Sequence, residues 1–264
     1  MDERRTSWML RLLVLVLFLF LLVPVLVVFP LSFSNESSLR FPPSSWSIRW
    51  YEAVFRHERM LAGFRTSLVL ATIVTSVTLL VSIPAAYVIV RLRPRGAQML
   101  YNIFTAPLLL PTIVIGLAIL IIFAPIGLLG SYTGIALGHL VLTVPYGLRI
   151  IATALAGLPV AVEEAAATLG ARPLTVFRRV TLPLITPGIV SAAALSFLVS
   201  FDELVITLFM AGPRVSTLPY EMYRHLDSRA DPLIAAVSVM LISLTLLVVL
   251  IVHRSVGLSR GFLR

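Results

Sequence analysis

Long apolar runs alternate with short polar interruptions along the 264 residues. Six runs are continuous enough to predict helices at about 9–30, 66–90, 99–123, 132–157, 185–210 and 232–253. At 1.5 Å per residue, each is long enough to cross a ~30 Å hydrocarbon layer. The second, third and sixth contain no Asp, Glu, Lys or Arg. The pattern predicts an all-α membrane protein, one domain of six spans. Pro84 in the second run, and Pro107, Pro111 and Gly116 in the third, are expected to kink their helices. Two polar stretches stand out between the runs. The first is 44–64, SSWSIRWYEAVFRHERMLAGF, with Trp46 and Trp50 four apart; it reads as an amphipathic helix lying at a membrane surface. The second is 163–184, EEAAATLGARPLTVFRRVTLPL.

Composition supports the membrane assignment. The chain is 59% hydrophobic and 12% charged, where a soluble domain carries about a quarter charged residues. There is no cysteine, which excludes disulfides, thiol chemistry and Cys-ligated zinc. The formal charge of +9 is carried by arginine, with no lysine. These arginines fall in short loops between apolar runs, which suits membrane orientation and argues against a nucleic-acid partner. Twelve lie on one side: Arg4, Arg5, Arg11, Arg91, Arg93, Arg95, Arg172, Arg178, Arg179, Arg254, Arg260 and Arg264. Eight lie on the other: Arg40, Arg49, Arg56, Arg59, Arg65, Arg214, Arg224 and Arg229. The richer side is expected to be cytoplasmic, with both termini and the 163–184 stretch on it. The first apolar run is about twice as long as the core of a cleavable signal peptide and is expected to stay as a span.

The 163–184 stretch has its own local logic. Pro159 suits a first helical turn, and Glu163 and Glu164 lie near its positive end. Ala165, Ala166 and Ala167 favour helix. Gly170 supplies the left-handed residue that ends one. Pro173 begins a second short helix, LTVFRRV, and Pro183 and Pro187 are expected to mark the turn into the fifth span. Such a unit is too polar to enter lipid. The residues alone leave open whether it rests on the membrane surface or docks to a partner.

The spacing adds a family resemblance. Glu164, Ala165, Ala166, Gly170, Leu182 and Pro183 match the cytoplasmic signature of ABC importer permeases, with Val180 where isoleucine is usual. GLLGSYTGIALGHLVLTVPYGLR, SFDELVITLFMAGP, TLPYEMY and WYEAVF resemble the spermidine/putrescine-type branch; Thr66 stands where that branch often has Asn. The resemblance implies a type I ABC importer permease fold in a bacterial inner membrane. It implies that the loop, with Glu163, Glu164, Ala165, Ala166, Gly170, Arg172, Leu182 and Pro183, couples to a cytoplasmic ATPase dimer. It also implies a second, homologous permease and an extracytoplasmic substrate-binding protein as partners. The chain has no GxxxxGK[ST] phosphate loop, so ATP and Mg are expected on the partner and no cofactor on this chain.

Asp202 and Glu203 fall inside the expected fifth span, where ionisable groups mark functional paths by default. If that span is one continuous helix, Ser196, Ser200, Glu203 and Thr207 share a face and Asp202 points about 100° away. The set Asp202, Glu203, Ser200 and Thr207 reads as the lining of a path for a cationic solute. The competing reading is a structural ion pair, with Arg149 or with an arginine of a second permease. His139, Thr143 and Tyr146 share a face of the fourth span and read as hydrogen-bonding groups between helices. No HExxH and no nucleophile–histidine spacing supports an intramembrane enzyme. A self-contained secondary transporter is usually built from internal repeats, and none is evident. Polyamine is the expected cargo, with another small solute, such as an amino-acid derivative, as the alternative.

Overall fold

The protein is described from a computed structural model that covers residues 8–213 and 215–260. Arg4, Arg5, Arg214 and Arg264, which enter the orientation count, lie outside the described residues. Twelve α-helices make up nearly all of the described chain: α1 Trp8–Ser32, α2 Arg49–Arg56, α3 Glu58–Tyr87, α4 Ala97–Thr105, α5 Thr112–Phe123, α6 Tyr132–Ala156, α7 Val160–Thr168, α8 Pro173–Val176, α9 Leu182–Phe201, α10 Val205–Met210, α11 Leu218–Ser228 and α12 Leu233–Arg260. Among the described residues the only β feature is an isolated bridge between Ser34 and Trp46.

Five helical stretches are long and apolar enough to cross a membrane: Trp8–Ser32, Glu58–Leu92, Tyr132–Ala156, Pro173–Phe201 and Leu233–Ile251. The expected span at 99–123 is bent, as its prolines suggested, and makes a sixth stretch if the bent pair is taken as one span. Ala97–Leu109 and Thr112–Phe123 meet at 104°. A proline pushes the residue before it out of the α region. Leu110, before Pro111, is extended at φ −97°, ψ 143°, Pro111 itself has ψ 131°, and these two residues break the run. The fifth span also differs from expectation. Pro183 and Pro187 mark no turn, because Pro173–Phe201 is one 29-residue helical stretch. A π-helical turn, Phe177–Thr181, lies just before Pro183. A wider turn of this kind accommodates a residue that has no N–H and whose ring crowds the preceding turn. At its far end this span stops at Phe201, and α10 begins only at Val205.

The described chain falls into two compact units. One holds the residues up to Leu61 with Met222–Leu244. The expected 44–64 helix is divided between α2 and the start of α3 at Glu58, and Trp46 is tied to Ser34 instead of continuing a helical face with Trp50. The Ser32 and Tyr51 hydroxyls lie 2.7 Å apart, and the Arg49 guanidinium covers the Trp50 ring at 4.7 Å. His57 accepts a hydrogen bond from Met60 N at 3.3 Å, starting α3 earlier than the apolar run suggests. The apolar side chains of α1 from Trp8 to Val23 are exposed, as suits a helix that faces hydrocarbon.

The other unit holds Ala62–Glu221 and the residues from Thr245. Its centre is α6, which contributes to both apolar cores. One gathers Leu70, Ile115, Ile119, Ile135, Leu142, Ile206 and Met210; the other gathers Ala86, Leu148, Ile151, Leu155, Ile185 and Ala192. Lipid chains are as apolar as leucine, so close backbone approach and polar bonds, not hydrophobicity, hold such helices together. A Cβ on Gly147 of α6 would lie 2.6 Å from Thr78 Cγ2 of α3, and one on Gly188 of α9 would clash with the Ala154 side chain of α6.

Candidate functional site

The first half of the 158–184 region folds as its local signals predict, whereas the expected second short helix is the beginning of the Pro173–Phe201 stretch. Pro159 precedes α7 at φ −58°, and Glu163 lies in its first turn. Gly170 follows α7 at φ +83°, the left-handed conformation that a β-carbon disfavours. Arg172, before Pro173, is extended at ψ 151°, and Pro173 opens α8. Glu164, Ala165, Gly170, Arg172 and Pro183 are exposed, and Ala166 and Leu182 are half-buried. Leu169, at the tip beside Gly170, is 89% exposed. Sequence reading passes over it, because one more leucine carries no signal in so apolar a chain.

Glu163 points the other way. Its carboxylate Oε2 lies 2.7 Å from Arg91 Nε, with the two side chains only 11% and 8% exposed. Thr181 Oγ1 donates to Glu163 Oε1 at 2.5 Å. Arg91 Nη2 also donates to the Leu158 carbonyl at 2.9 Å. Glu163 therefore faces this chain's own helices, while Glu164 beside it faces outward. No local pattern signals the pairing with Arg91, since the two residues belong to elements distant in sequence.

The second cluster surrounds the interruption between α9 and α10. The continuous face expected from Ser196 to Thr207 ends at Phe201, so the expected angular separation of Asp202 and Glu203 does not apply. Asp202 is exposed and Glu203 half-buried. The Glu203 carboxylate accepts from Ile206 N at 2.9 Å. Neither acid is paired with Arg149, which is exposed.

Ser200 and Thr207 lie on opposite sides of the interruption, both fully buried. His139 of α6 joins them: Nδ1 lies 3.0 Å from Ser200 Oγ and Nε2 lies 3.1 Å from Thr207 Oγ1. Thr207 gives its one proton to the Glu203 carbonyl at 2.9 Å, so Nε2 donates and Nδ1 accepts from Ser200. Thr143 donates to the His139 carbonyl at 3.1 Å and lies 2.8 Å from Thr78 Oγ1 of α3. The polar groups of three spans are thus used in one buried chain. Among the described residues no group of three or more His, Cys, Asp and Glu is placed to hold a metal.

These features define a multi-pass membrane protein with an exposed helical loop and a discontinuous span, not a catalytic centre. Residues 78–259 match the model of the binding-protein-dependent transport system inner membrane component, and the chain belongs to that family of permease subunits. It is an ABC importer subunit of the inner membrane, a transport protein and not an enzyme. The putrescine transport system permease protein PotI of Escherichia coli is 33% identical over 246 residues, which cover 90% of this chain and 86% of that protein. The molybdenum transport system permease protein ModB of Mycobacterium bovis is 37% identical over 191 residues, covering 67% of this chain and 72% of that protein. A bacterial ABC transporter involved in the import of the acidic polysaccharide alginate has a chain of the same fold, with a TM-score of 0.70 at 18% identity over 96% of this chain and 98% of that one.

Proposed function

We propose that this chain forms half of the translocation path of an ATP-driven polyamine importer and that α7, with the turn at Gly170, docks to a cytoplasmic ATPase. The carrying observation is the outward display of Glu164, Ala165 and Leu169 immediately before a left-handed glycine, at the spacing of the permease signature. Small alanine side chains let a partner's backbone approach, and Leu169 offers an apolar knob. Arg172, exposed beside the same turn, and Leu182 and Pro183, at the start of α9, complete the coupling set. ATP and Mg bind the ATPase dimer, and this chain contributes no ligand to them. A second, homologous permease completes the path, and an extracytoplasmic binding protein delivers the cargo. Both termini and α7 are cytoplasmic, as the arginine excess supports.

Asp202 is the group proposed to meet a cationic cargo. It is exposed, and it lies where a helix is interrupted within the membrane, the arrangement that marks binding sites in many transporters. Glu203 lies beside it, and Ser200 and Thr207, buried and bonded to His139, fix the two sides of the interruption instead of lining the path. The similarity to PotI favours putrescine or a related polyamine. The similarity to ModB favours a second reading, in which the same machinery carries a different small solute. Purification from native membranes tests the machinery: the chain is expected to co-elute with an ATPase and a second permease, and elution alone would refute it. Uptake of radiolabelled putrescine against a molybdenum salt by vesicles holding the whole complex separates the two cargo readings.

A further inference from the structure

Two π-helical turns occur among the described residues, Val88–Leu92 at the end of α3 and Phe177–Thr181 between α8 and α9. Such turns are rare and recur at functional positions. Here they lie side by side: the Tyr87 and Phe177 rings meet edge to face, with centroids 5.0 Å apart. Each π turn also contributes one polar side chain, and both side chains go to the same carboxylate. Arg91 from the first turn lies 2.7 Å from Glu163 Oε2, and Thr181 from the second donates to Oε1 at 2.5 Å. Arg91 further holds the Leu158 carbonyl, just before α7. A charged pair this buried leaves a costly bare charge if either partner is lost. Its geometry also ties α7 to both helix ends at once.

We propose that Glu163 is a positioning residue that joins α7 to the Glu58–Leu92 and Pro173–Phe201 helices as one mechanical unit, with Arg91 and Thr181 as its anchors. The proposal rests on the reading of α7 as the ATPase-docking helix and assigns Glu163 a role distinct from docking. Glu164 and its exposed neighbours receive the motion of the ATPase; Glu163 passes it to the spans. Without Glu163, α7 still follows the ATPase but slides against the ends of the two helices.

The chain has no cysteine, so cysteines introduced here are its only labelling sites, and the chain is labelled before it is assembled with its partners. Nitroxides at V160C and L184C, both exposed positions, are measured in the whole complex in lipid nanodiscs, without nucleotide and after trapping with ATP and vanadate. Intact anchoring gives one narrow distance distribution in each state. E163Q and R91Q are expected to add a broad component while the ATPase stays bound, and to raise the ATP hydrolysed per putrescine imported by about tenfold. T181V removes only one neutral bond and is expected to fall between wild type and E163Q. The charge reversal R91E/E163R is expected to restore the narrow distribution and the coupling ratio. Wild-type distances and coupling in E163Q would overturn the proposal. So would a broadening that the charge reversal leaves in place while melting temperature falls in parallel, because that is loss of packing alone. A wild-type permease that fails to retain an ATPase refutes the docking reading instead, and the label distances in E163Q still decide whether Glu163 anchors α7.

Discussion

Asp202 and Glu203 are adjacent in sequence yet differ in what surrounds them. Glu203 spends a carboxylate oxygen on Ile206 N, whereas Asp202 is exposed. D202N is therefore expected to lower putrescine uptake more than E203Q, because glutamine keeps the acceptor oxygen that Ile206 uses. The loss of one charged hydrogen bond to cargo, about 1.5–3 kcal/mol, corresponds to roughly ten- to hundredfold in apparent affinity. Concentration-dependent uptake in vesicles checks the order. His139 illustrates a different kind of residue, one whose worth is structural. H139A strands the buried Ser200 hydroxyl, leaves Thr207 only its bond to the Glu203 carbonyl, and is expected to cost about 1–3 kcal/mol, read as a lower unfolding midpoint in detergent. H139A with the wild-type midpoint would show that the three-span polar chain carries no stability. Sequence periodicity placed His139 and Thr143 on one face and correctly suggested bonds between helices. It did not show that the partner hydroxyls flank an interruption in another helix, because that interruption has no proline or glycine to announce it.

At the scale of elements, the chain's punctuation was legible where it was local. Gly170 takes the predicted left-handed conformation, and Pro173 begins a helix after an extended Arg172. G170V forces a β-branched residue into that conformation, at about 1–3 kcal/mol of local strain. It is expected to leave the complex assembled, or nearly so, while uptake per ATP falls; coupled transport at the wild-type ratio would remove Gly170 from the proposed mechanism. Prolines elsewhere had different effects, one as expected and two not. Pro111 bends the third span by making Leu110 extended, so one apolar run becomes two helices at 104°. Pro183 and Pro187 interrupt nothing: a π turn just before Pro183 takes up its misfit, and Pro187 is carried within α9. Whether a proline breaks, bends or merely widens a helix depends on the surrounding packing, which a single sequence does not display. The 44–64 segment shows the same limit: it is helical in two pieces, α2 and the start of α3, and the Ser34 bridge takes Trp46 out of the predicted helix.

At the scale of the whole molecule, packing around α6 is the central fact of the unit that contains it. Gly188 gives the Ala154 side chain its space, and G188L is expected to cost about 1–3 kcal/mol through overpacking, seen as a lower unfolding midpoint and a poorer yield of assembled complex. An unchanged midpoint would mean that α9 shifts away from α6 at no cost. The sequence by itself determined that the chain is an all-helical membrane protein, roughly where most of its apolar runs lie, that a polar helix ending at Gly170 interrupts them, and which family it resembles. Those properties follow from transfer energetics and local backbone preferences, which act over a few residues. Tertiary structure alone decided that Glu163 turns inward to Arg91 while Glu164 turns outward, that the fifth span stops at Phe201, and that Ser200 and Thr207 are bonded to His139. Each depends on groups far apart in the chain meeting in a medium that offers no water to satisfy them, so the partner a polar side chain finds is settled only when the helices pack.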